Sequence, residues 1–134
     1  MGIRIFVNTG IAIVLAIAFA ACGSGGGSSP TSPSANDGPI AATIVIDATG
    51  NVTPKDVTVP VGSRVTFTNN HNTAHQMASD PHPEHTLCPA LNTVGFINPG
   101  ESRTSSNLDT ARVCTYHDHI NDTNAALRGT IRVQ

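Results

Sequence analysis

The chain has 134 residues, 12% of them charged, and its formal net charge at pH 7 is -2. This length suits one small domain with accompanying segments and excludes two full domains. The low charge provides no basic patch for phosphate groups, which argues against a nucleic acid partner.

The N-terminal segment is typical of a secretory signal. Arg4 precedes an apolar run at residues 11–19, which is shorter than the roughly 20 apolar residues of a membrane-spanning helix. The run ends in Phe19-Ala20-Ala21-Cys22, which resembles the lipobox of bacterial lipoproteins. The sequence therefore predicts a signal peptide at residues 1–21 and lipidation of Cys22. We therefore expect the protein to be located in the bacterial cell envelope, anchored to a membrane, with its domain facing the periplasm or the exterior.

A polar, glycine-rich segment follows the lipidation motif. Residues 23–38 read GSGGGSSPTSPSANDG, which offers almost no apolar surface to offset the entropy of ordering the chain. We expect Cys22 and a flexible tether at residues 22–39, followed by one folded domain at residues 40–134.

The expected domain shows short strand patterns separated by turns. Phe67 and Phe96 should join a core of Val, Ile and Leu, while Pro60 places its strand at a sheet edge or near its end. The polar residues 70–93 predict a long loop. Alternating apolar residues predict an all-β antiparallel sandwich with strands at residues 42–47, 57–61, 64–69, 102–108, 112–116 and 128–133.

The histidines are concentrated in one part of the chain. All six lie between residues 71 and 119, and four of them fall within the predicted loop. Imidazole is a common metal ligand, so this clustering is the main chemical signal. The six are His71, His75, His82, His85, His117 and His119.

Three local patterns resemble the cupredoxins, the family of plastocyanin-like copper proteins, over about residues 41–134. They are residues 53–70, the turn at residues 98–102, and Cys114-Thr115-Tyr116-His117 with the closing segment at residues 128–133. The resemblance implies a Greek-key β-sandwich or barrel that holds one copper ion and transfers electrons. By position, its ligands would be His75, Cys114 and His117.

The pattern departs from the family at the axial ligand and at the cysteine. No methionine follows Met77, although Met77 itself could offer soft sulfur to copper. If Tyr116 occupies the family's last aromatic position, the metal cysteine position falls near Asp118. With Cys22 lipidated, Cys88 and Cys114 form the remaining pair, and a disulfide between them is the alternative in an oxidising compartment.

A disulfide would leave a copper site made only of nitrogen ligands. His75, His117 and His119 would form it, with His82 and His85 as possible further ligands. His71 is expected to be an exposed loop residue.

Several functions remain open from the sequence. The copper interpretation predicts electron transfer with a redox protein, or copper handling with a copper donor or acceptor. One alternative is an enzyme resembling copper-zinc superoxide dismutases, which also combine a β-sandwich, a His-x-His motif and a disulfide. Another is a metal-free, disulfide-stabilised surface lipoprotein.

Overall fold

The computed structural model describes residues 37–134. Outside this range lie the predicted signal peptide, the predicted lipidation site at Cys22 and most of the predicted tether. Within this range, no helix is both long enough and apolar enough to cross a membrane. The elements are β1 Ile40–Ile46, β2 Val52–Thr53, β3 Asp56–Val59, β4 Arg64–Asn69, β5 His75–Ser79, α1 Pro89–Asn92, β6 Gly95–Ile97, β7 Ser102–Thr104, β8 Arg112–Asp118, 3-10 turns at His119–Asn121 and Ala125–Leu127, and β9 Gly129–Val133.

The strands form two sheets that enclose one core. The first sheet has the order β2-β1-β4-β7, and the second has the order β3-β9-β8-β5-β6. This confirms an all-β sandwich, with one correction: both sheets are mixed, because β1 pairs with β4 and β3 pairs with β9 in parallel. Strand β3 lies at a sheet edge and ends at Val59, so Pro60 removes no internal hydrogen bond, as predicted.

Alternation along the strands fills the space between the sheets. Val65 and Phe67 of β4 are fully buried, and the Phe67 ring meets the Tyr116 ring edge to face with centroids 5.3 Å apart. Burial raises the pKa of the Tyr116 hydroxyl. The prediction that Phe96 joins the core is wrong: on the edge strand β6 it is 54% exposed.

The predicted loop at residues 70–93 contains an internal strand. Strand β5 lies between β8 and β6 in the five-stranded sheet, and α1 occupies the end of the same stretch. The sequence of β5, HQMAS, lacks the β-branched residues that usually mark a strand. Neighbouring strands therefore impose the strand conformation here, and the true loop shortens to residues 80–88.

A disulfide joins this loop to the sheet. Cys88 and Cys114 are bonded, with Cα atoms 5.8 Å apart, and both are buried. The alternative in which Cys114 pairs with Cys88 is thus the one present. The prediction of Cys114 as a copper ligand is corrected, because its sulfur is already bonded.

Candidate metal centre

Four histidines converge at the end of β8. Their possible ligand atoms, one from each ring, all lie within 4.8 Å of one another. Two rings come from the loop at residues 80–88, one from β8, and one from the 3-10 turn that follows β8. We call this group the histidine cluster; it consists of His82, His85, His117 and His119.

His117 is the buried member of the cluster. Its ring is 0% exposed, and its Nδ1 lies 2.7 Å from Oδ1 of Asp80. Its Nε2 has no hydrogen-bond partner among the described residues. A buried polar atom left without a partner costs about 1–3 kcal/mol, so such atoms call for an explanation. A metal ion bound at Nε2 would satisfy this nitrogen, and the cluster therefore fits a metal.

Asp80 continues the pairing of β5 with β8. Its backbone N–H donates to the carbonyl of Thr115 at 3.1 Å. Burial opposes ionisation of the carboxyl, but hydrogen bonds with Thr115 and His117 outweigh it and lower the pKa of Asp80. Asp80 therefore presents a carboxylate to His117. Its sequence signal is its place in residues 80–85, which contain His82 and His85.

Backbone contacts fix the position of His85. Its carbonyl accepts hydrogen bonds from Ser79 Oγ at 3.0 Å and from Asn92 Nδ2 at 2.8 Å. Its N–H donates to the carbonyl of Pro81 at 2.7 Å, and its φ of 53° lies in the left-handed region, which non-glycine residues seldom adopt. Such a conformation persists where the surroundings hold it. The loop is thus held in shape around this ring.

The other two rings complete the cluster from its open side. His119 Nδ1 lies 3.2 Å from His85 Nε2, and the exposed His82 has Nε2 3.9 Å from Oδ2 of Asp122. Burial, together with the neighbouring histidines, lowers the pKa of His85. A lowered pKa favours the neutral imidazole, which is the form that binds metals.

His75 lies on the opposite face of the sheet. Ala78 of β5 is paired with His117, so these two side chains share one face of the sheet. Met77 is paired with Asp118, and because successive side chains alternate, this pair lies on the other face. His75, two residues before Met77, lies on the same face as Met77. His75 Nδ1 contacts Asp118 Oδ2 at 2.8 Å, whereas His117 points to the other face. The structure therefore does not bring His75 together with His117, the pair that the resemblance placed on one ion.

His75 is enclosed by its own contacts. Its Nε2 lies 2.9 Å from Nδ1 of His71, and Asn121 Nδ2 donates to the same Asp118 oxygen at 3.1 Å. The prediction that His71 is an exposed loop residue is wrong, because this contact leaves it half-buried. Met77 is 1% exposed and belongs to the hydrophobic core, away from the cluster.

Comparisons with known proteins identify structural neighbours. No protein-family model matches the chain, and no curated protein matches it. A mutant fern plastocyanin has a TM-score of 0.55 at 21% identity, over 69% of this chain and 99% of its own. A purple cupredoxin from Nitrosopumilus maritimus has a TM-score of 0.51 at 19% identity, with the same coverage. A mutant amicyanin in its Cu(I) form has a TM-score of 0.53 at 18% identity, over 70% of this chain and 82% of its own.

Proposed function

Because the described domain is cupredoxin-like, we propose that it binds one copper ion through the histidine cluster and carries electrons. The observation that carries this proposal is the histidine cluster itself, whose possible ligand atoms all lie within 4.8 Å of one another and whose buried member, His117, has an Nε2 without a partner among the described residues. Imidazole suits Cu(II), which binds a given nitrogen site more tightly than the other divalent first-row metals. A bound copper ion would supply one-electron exchange between its two oxidation states.

Two of the four ligands, His117 and His85, are held in place before any ion arrives. Asp80 orients the His117 ring, Ser79 and Asn92 hold the backbone of His85, and the disulfide ends the loop. Ligands that keep their positions reorganise little when the charge of a bound ion changes. This rigidity supports electron transfer to a redox protein.

Copper storage or delivery is the second candidate. The observation that favours it is the exposure of His82, whose side chain is 34% accessible and contacts Asp122 only at 3.9 Å. A ligand at the surface can leave the ion without opening the fold. His82 would then exchange first when a copper donor or acceptor binds.

Titrating the purified protein with Cu(II) tests the copper proposal. We expect one equivalent to bind with weak visible absorption, because Cys88 and Cys114 form a disulfide and residues 37–134 therefore offer no thiolate for intense charge transfer. Electron paramagnetic resonance should show nitrogen ligands. No copper uptake would refute the proposal, and an intense blue band would contradict the all-histidine ligand set.

Voltammetry of the copper-loaded protein separates the functions. A reversible one-electron wave supports the electron carrier, whereas copper release to an acceptor protein without such a wave supports delivery. Turnover of superoxide would favour the enzyme alternative instead.

We also propose that Cys22 carries a lipid that anchors the protein to a bacterial membrane. The apolar run at residues 11–19, the motif ending at Cys22 and the polar residues 23–38 support this proposal. In a bacterial host, the wild-type protein should sediment with membranes and gain the mass of a lipid. Cys22→Ser should lose that mass, because the thiol is the acceptor. A mass difference no larger than the exchange of one sulfur for one oxygen would contradict lipidation.

A further inference from the structure

We infer that Asp80 is a positioning residue of the histidine cluster, which holds the proton of His117 on Nδ1 and so leaves the lone pair of Nε2 free for a metal. This inference rests on the proposed copper site. It assigns the Asp80 carboxylate the role of orienting His117, the buried ligand of that site.

The contact between Asp80 and His117 defines the tautomer of the imidazole. The distance from Oδ1 to Nδ1 is 2.7 Å, typical of a strong hydrogen bond to a charged acceptor. An ionised carboxylate can only accept a hydrogen bond, so Nδ1 must carry the proton. In the neutral ring Nε2 is then an acceptor, and it is the atom that lacks a partner among the described residues.

The sheet fixes where the carboxylate lies. Asp80 follows β5 by one residue, and Ala78 is paired with His117, so Asp80 and His117 share one face as diagonal neighbours. The carbonyl of Asp80 also accepts the N–H of Leu87 at 2.8 Å, which closes the loop that carries His82 and His85. One residue therefore joins the loop, the strand and the buried ligand.

A control must separate this role from a general effect of negative charge. Glu84 is an exposed carboxylate in the same loop, between His82 and His85. Glu84→Gln removes one charge near the cluster but leaves the contact of Asp80 with His117 in place. Asp80→Ala removes that contact, whereas Asp80→Asn keeps an oxygen that can accept from Nδ1.

The tautomer of His117 can be measured in the metal-free protein by nitrogen-15 NMR of the histidine rings. We expect wild-type His117 to carry its proton on Nδ1, and Asp80→Ala to shift protons to Nε2. Asp80→Asn should restore the Nδ1 tautomer in part. This readout needs no copper and would not move if Asp80 only stabilised the loop.

Cu(II) affinity, measured by competition with a chelator, completes the test. Loss of a group that orients a metal-bound histidine typically weakens metal binding by about 10- to 100-fold, and we expect a loss of this size for Asp80→Ala. Asp80→Asn should lose less, and Glu84→Gln should stay within a few-fold of wild type. If Asp80→Ala keeps both the Nδ1 tautomer and the wild-type affinity, the inference fails. If the wild-type protein binds no copper, the proposed function fails, while the tautomer result still tests the contact.

Discussion

Replacing His117 with alanine is expected to abolish tight copper binding. His117 contributes the buried nitrogen of the cluster, and the loss should exceed the roughly 100-fold that follows removal of a group orienting a ligand. The metal-free variant should still fold, because the removed ring carries an unsatisfied nitrogen whose cost offsets part of the cavity left behind. Chelator competition measures the affinity, and circular dichroism measures the fold.

Two histidines outside the cluster provide matched controls for this prediction. His71→Ala and His75→Gln each remove an imidazole outside the cluster: His75 contacts Asp118 on the opposite face of the sheet, and the His71 ring contacts that of His75. Both variants should bind copper with wild-type affinity. Loss of binding in His75→Gln, with retention in His117→Ala, would show that copper binds on the face opposite to the one we propose.

Much of the fold follows from local patterns. The predicted strand at residues 64–69 matches β4, since Val65 and Phe67 alternate with threonines as a half-buried strand requires. Strand β5 was missed because its conformation depends on β8 and β6, which flank it in space and not in sequence. The parallel pairings of β1 and β3 are equally non-local, so an antiparallel sandwich was the simpler expectation.

The histidines of the candidate site could be named from the sequence, but the way in which they are grouped could not. Clustered histidines indicated a metal, and His117, His119, His82 and His85 were all candidates before any geometry was known. What the sequence could not supply was the register between β5 and β8, which sets the faces of His75 and His117. A shift of one residue in that register exchanges the faces of a strand.

Replacing both Cys88 and Cys114 with alanine is expected to lower the free energy of unfolding by about 3.5 kcal/mol in the chain-entropy treatment of disulfides. The bond spans 26 positions, so breaking it enlarges the set of unfolded conformations. Urea denaturation of the metal-free protein measures the change. Replacing both cysteines, rather than one, avoids leaving the other partner of this disulfide as a free thiol that could bind copper.

The same double variant should also weaken copper binding, by less than His117→Ala does. Cys88 ends the loop that carries His82 and His85, and Cys114 lies three residues before His117 on β8. Without the bond, that end of the loop keeps noncovalent contacts, such as the hydrogen bond from Arg112 Nη1 to the carbonyl of Leu87 at 2.6 Å. Asp80 still holds His117, so the buried ligand stays in place.

An unchanged free energy of unfolding would show that the bond does not constrain the unfolded chain. Unchanged affinity would show that the loop is shaped by hydrogen bonds alone.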